Sequence, residues 1–174
     1  MKSSVIVANH PLHPMLIPIP LTSFPLALVG DVIYLVIGGP FWYDFARVML
    51  GVGVAGALLA ALPGLVDYLR VIPRAPVQAR DDATLHLVCN LSLVGVFLVD
   101  FVLRMATDAS TGPLLALAIA LGVVGNGLLI YAGWLGGNLV YRHRIGVEEP
   151  APELLRVTMS PAERAAMRNP GDES

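Results

Sequence analysis

Four histidines in a chain of 174 residues are the side chains with the most chemistry to offer. His10 and His13 stand in the run His10-Pro11-Leu12-His13-Pro14, His86 closes Ala83-Thr84-Leu85-His86, and His143 lies in Tyr141-Arg142-His143-Arg144. A neutral imidazole ligates transition metals and haem iron, and two imidazoles facing each other at one level of a helical bundle make a six-coordinate haem site. The propionates of a haem need cationic partners, and Arg70, Arg74, Arg80, Arg142 and Arg144 fall at matching places in the chain. His10, His13, His86 and His143 with Asp67 are equally a donor set for zinc or another divalent ion. A histidine at the end of an amphipathic helix also suits the plainer role of an interface residue with its polar tip in water. In that case the chain is a cofactor-free structural or assembly subunit.

Other chemistries lack their residues. Ser23, Ser92 and Ser110 have no histidine near them, and the chain has neither a nucleophile elbow nor a phosphate loop. Independent catalysis is therefore not expected. The single cysteine, Cys89, has no disulfide partner and cannot build a cysteine-rich metal site. A formal charge of -2 offers no basic excess for nucleic acid.

The elements that must position the histidines are set by hydropathy. The chain is 56% hydrophobic and 14% charged, with a mean hydropathy of +0.71. A soluble domain of this size needs more charge for its surface, so lipid is the expected solvent. Four stretches, 15–37, 45–66, 83–103 and 113–135, are long enough to cross about 30 Å of hydrocarbon. Their only charges are Asp31, Arg47 and Asp100. The expected fold is all-α: an integral membrane four-helix bundle over 1–147 with short loops, followed by a polar tail over 148–174. That tail is expected to be partly disordered, with one short helix from the capping box Ser160-Pro161-Ala162-Glu163 to Arg168.

The first connection, 38–44, reads as a tight hairpin of glycine, proline and interface aromatics, and 67–82 as an exposed loop. No cleavage site follows the first hydrophobic residues, so the first span is expected to remain in the mature protein. Small residues recur along the second and fourth spans, among them Gly51, Gly53, Gly56, Gly122, Gly125 and the Gly133/Gly137 pair. They let helices approach in lipid, where apolar faces alone have little reason to associate, so a compact bundle is expected.

Threading four spans brings His10, His13, Asp67, His86 and His143 to one membrane face. Lys2, Arg70, Arg74, Arg80, Arg142, Arg144 and Arg156 fall on that face, against Arg47 and Arg104 on the other. The positive-inside bias then makes it the cytoplasmic face, with both termini on it. Asp100 and Arg104, four apart on one helix, are expected to pair, with Asp31 within two turns of the same face. A proton relay from Asp31 through Asn126 to Asp67 has too few members to be preferred.

The runs His10-Pro11-Leu12-His13-Pro14-Met15-Leu16, Pro63-Gly64-Leu65-Val66-Asp67-Tyr68, Ala83-Thr84-Leu85-His86 and Gly133-Trp134-Leu135-Gly136-Gly137-Asn138-Leu139-Val140-Tyr141-Arg142-His143 occur in that order. With them the chain resembles the bacterial membrane family known as domain of unknown function 2231, over residues 9 to about 147. The four-span layout is similar to that of the transmembrane b-type cytochromes, and family members occur beside or joined to redox domains. The resemblance implies a bacterial inner-membrane protein and favours haem b over other cofactors. It carries His13, His86 and His143 with Asp67 over as site positions, and His10 less directly. It also implies electron exchange with a quinone and a redox partner protein, and leaves oligomer formation open. With no histidine toward the opposite face, at most one haem has histidine at both axial positions.

Overall fold

A run of apolar residues in lipid must satisfy every backbone polar group internally, and the α-helix does so within one segment. The computed structural model describes residues 3–7, 10–107 and 109–147. It contains four helices long and apolar enough to span a membrane. A two-residue antiparallel ladder opens the chain, β1 (Ile6–Val7) against β2 (His10–Pro11). There follow α1 (Leu12–Leu16), α2 (Pro18–Ile37), α3 (Pro40–Arg70), a 3-10 turn (Ile72–Arg74), α4 (Val77–Ala106) and α5 (Gly112–Tyr141). The polar tail and its short helix lie outside the described residues.

The helices outrun the hydrophobic windows, chiefly toward the histidines. Pro18 has no N–H to continue the helical ladder, so α1 separates from α2, although Leu21 still donates to the Ile17 carbonyl. The hairpin between α2 and α3 is tighter than 38–44: only Gly38 and Gly39 intervene, at φ of 70° and 91°, a region open to glycine at little cost. The stretch 67–82 is less of a loop than its prolines suggest. It is helical to Arg70 and again from Val77, and Val71, Ile72, Ala75 and Ala79 are buried.

α2 packs chiefly on α3 and α4 on α5, and the two hairpins close through α3 on α4 and α2 on α5. Their joint is aromatic. Phe24 of α2 and Phe97 of α4 stack with centroids 3.7 Å apart and planes 8° from parallel. Gly53 of α3 and Gly125 of α5 flank the stack. A Cβ at Gly53 would lie 2.5 Å from Phe24 Cε1, and one at Gly125 would lie 2.5 Å from Phe97 Cζ. All four spans thus meet at one level because two of them lack side chains there. The close approach expected of these small residues is real, but what enters the space is a ring rather than a backbone. At Gly133 and Gly137 a Cβ would meet nothing within 4 Å, so among the described residues that GxxxG pair does not point its bare side at another helix.

Candidate functional site

His13 and His86 are held by the same device, built twice. His13 sits in α1, and its Nδ1 lies 2.8 Å from the carbonyl oxygen of Ala60 in α3. One turn further along α3 is Gly64, where a Cβ would come 2.8 Å from His13 Nδ1. His86 sits in α4, its Nδ1 3.0 Å from the carbonyl oxygen of Ala132 in α5. One turn further along α5 is Gly136, where a Cβ would come 3.1 Å from His86 Cε1. In both cases an imidazole lies on the bare surface of a glycine and reaches the carbonyl four residues before it. A carbonyl oxygen only accepts, so Nδ1 carries the proton and donates in each ring, leaving Nε2 as the unprotonated nitrogen.

A neighbour fixes His86 further. The side-chain amide of Asn90 donates to the His86 carbonyl at 2.7 Å. It also comes within hydrogen-bonding reach of the ring, 3.4 Å from Nδ1 and 3.3 Å from Nε2. Both histidines are half-buried and lie within coulombic range of each other.

The other candidate residues share this end of the bundle but are engaged elsewhere. His143, just past α5, places Nε2 2.7 Å from Asp82 Oδ2 of α4. Asp67, near the end of α3, accepts from Ser3 Oγ at 2.6 Å, from the Ser4 backbone N–H at 2.6 Å and from Ser4 Oγ at 2.7 Å. Its carboxylate thereby moors the N-terminal ladder to the bundle. His10 is exposed in β2. Among the described residues, no group of three or more His, Cys, Asp or Glu side chains comes together to hold a metal ion. The five-residue donor set His10, His13, Asp67, His86 and His143 is therefore shared out among different partners. Arg70 and Arg142 are exposed at the end of α3 and just past α5, and Arg74 and Arg80 turn back onto the carbonyls of Arg70 and Ala75.

At the far end the structure assembles a group that the sequence showed only in pieces. Arg104 grips Asp31 with both terminal nitrogens, at 2.7 Å to Oδ1 and 2.8 Å to Oδ2, and its Nε donates to Asp100 Oδ1 at 2.9 Å. The expected Asp100–Arg104 pair exists, and Asp31 completes it from another helix. All three residues are 1 to 2% exposed. Asn126 is not a step between this end and the other. Its amide donates to the Gly122 carbonyl at 2.8 Å and lies 3.4 Å from that of Phe24.

Cys89 is buried among Ala132 and Leu135, a packing position as its isolation suggests. Tyr131 and Trp134 stack with centroids 5.9 Å apart on the exposed side of α5. They fit the aromatic belt of a membrane interface.

Four apolar helices around a central ring stack, with their charged groups gathered at the two ends, define a multi-span membrane protein embedded in the lipid bilayer. The chain belongs to a family described as predicted membrane protein, domain of unknown function 2231, whose model matches residues 9–149. No curated protein and no solved structure matches it.

Proposed function

We propose that this protein is a haem b-binding electron-transfer subunit of the bacterial inner membrane, with its termini and histidines at the cytoplasmic face. His13 and His86 would hold the haem. The observation that carries the reading is the repeated anchoring of these two imidazoles. Iron ligands of this type characteristically donate the second ring N–H to a carbonyl or carboxylate, which fixes tautomer and ring orientation and strengthens the ligand nitrogen. His13 and His86 meet that requirement through Ala60 and Ala132, from two different helices within coulombic range of each other. His143 is the weaker partner for His86 because its Nε2 is already directed at Asp82.

A haem held between them supplies one-electron chemistry. The chain's own residues do the rest. The carbonyls orient the rings, the glycines give them room, and exposed Arg70 and Arg142 offer cations for propionates at the same end. A quinone dissolved in the bilayer and a cytoplasmic redox protein are the electron partners this placement suits.

The test is an absorption spectrum of detergent-purified protein from haem-replete cells, oxidised and reduced. A Soret band is expected, lost in His13→Ala and in His86→Ala and retained in His10→Ala. Folded protein without pigment overturns the assignment.

One observation favours a second reading. The same two bonds tie α1 to α3 and α4 to α5, as they would in a cofactor-free assembly subunit. That role predicts a His86→Ala variant that loses thermal stability or partner association with no spectral change.

A further inference from the structure

We propose that Asp31, Arg104 and Asp100 form a proton-binding site inside the membrane, at the end of the bundle opposite the histidines. The two carboxylates hold one proton between them, seated on Asp100. This goes beyond the electron-transfer reading and does not depend on it.

A guanidinium stays protonated in proteins, so Arg104 contributes one positive charge under all ordinary conditions. Two ionised carboxylates against it leave the cluster with a net negative charge, in a place that is 1 to 2% exposed. An uncompensated charge out of water is expensive, and a buried carboxyl group commonly escapes the cost by keeping its proton.

Among the described residues, the surrounding elements offer no second cation beyond Arg47, which is already paired. On α2 the only charge is Asp31, and Tyr34 donates its hydroxyl to the Ser110 carbonyl. On α3 the nearby groups are Tyr43, whose ring centroid is 5.9 Å from Arg104 Cζ, and beyond it Arg47. Arg47 is committed at 2.8 Å to Asp44, so that pair sums to zero. α4 brings Asp100 and Arg104 themselves. α5 carries no charged residue from Gly112 to Tyr141, and the connection before it contains one charge in sequence, Asp108, of the wrong sign.

Geometry then separates the two carboxylates. Asp31 receives the two-pronged face of the guanidinium on both oxygens, the arrangement that best stabilises an ionised carboxylate. Asp100 receives a single bond, from Nε to Oδ1. Its second oxygen stands outside the guanidinium fork and is the one placed to bear the proton. The cluster is buried but close to a helix end: Asp100 is about two turns and Arg104 half a turn from the end of α4 at Ala106, the side on which the proposed proton would exchange with solution. In the exchange the Asp100 O–H bond breaks, the carboxylate keeps the electron pair, and the proton passes to water.

Infrared spectroscopy of protein carrying isotope-labelled aspartate tests the assignment. At neutral pH the wild type should show the C=O stretch of one protonated aspartic acid, shifted in deuterium oxide. Asp100→Asn removes the proton carrier, and Asp31→Asn leaves Arg104 and an ionised Asp100 as a balanced pair. The band should vanish in both. Both variants keep the shape of the side chain and bring the cluster's charge to zero, so both should fold. A wild type with no protonated-aspartate band at neutral pH overturns the proposal and leaves an ordinary ion triad. A band that persists in both variants overturns it as well, by placing the proton elsewhere.

Discussion

Adding one methyl group to Gly64 should cost more than its size suggests, because of where it would land. A Cβ there comes 2.8 Å from His13 Nδ1 and 2.9 Å from Cε1, so the imidazole must retreat from α3 by about half an ångström to regain ordinary contact. The carbonyl it bonds, that of Ala60, is on the same helix at 2.8 Å. Retreat from one is therefore retreat from the other, and the bond goes to the edge of hydrogen-bonding range. The expected loss is about 0.5 to 1.5 kcal/mol for the bond, with about 1 to 3 kcal/mol if the ring cannot move freely. Alanine in place of glycine returns up to about 1 kcal/mol of helix propensity. A control removes that term, since Gly127→Ala places its Cβ where nothing lies within 4 Å. Gly64→Ala should thus be less stable than Gly127→Ala by about 1 to 3 kcal/mol in reversible unfolding from mixed micelles. Side-chain 15N spectra should show the Nδ1–H tautomer of His13 giving way to a mixture. Equal stability of the two variants, with the tautomer intact, refutes the account of how this ring is held.

Arg104→Met leaves two carboxylates buried without their cation and should destabilise by about 3 to 5 kcal/mol, read as loss of the folded fraction at fixed denaturant; an effect near zero refutes the burial argument. Gly125→Ala drives a Cβ to 2.5 Å from Phe97 Cζ and should cost about 1 to 3 kcal/mol by forcing the Phe24–Phe97 stack apart. A thermal midpoint equal to that of Gly127→Ala argues against it. Asp67→Ala removes the acceptor for Ser3 and Ser4. It should speed amide hydrogen exchange over the N-terminal ladder while leaving α3 unchanged, and unaltered exchange of Val7 and Leu12 refutes the mooring role.

Element order and the common end of the histidines were legible in the sequence for a topological reason: an even number of spans returns alternate connections to one face, whatever the packing. Contacts between helices were not legible, because they depend on rotation about each helix axis and on the partner's register. Gly64 and Gly136 are ordinary small residues along the chain, and only the partner helix turns each into a seat for an imidazole. Asn90 could have been found, since it follows His86 by one turn and its side chain can reach back to the His86 carbonyl and ring. Asp31 with Arg104 could not, because the two are 73 residues apart and neither helix alone dictates the meeting.

The two polar ends obey different rules, and the difference explains their chemistry. At the histidine end His13 and His86 are held by neutral groups, backbone carbonyls and the Asn90 amide, so the two rings are oriented without a charge beside them. At the far end the partners are charges locked against one another with almost no solvent, so orientation is guaranteed but charge has to balance. A bundle whose middle is a dry pair of phenyl rings between glycines keeps these two demands apart. Neither end has to compromise its electrostatics for the other, so the proposed ligand site at one end and the proposed proton site at the opposite end should be altered separately by mutation.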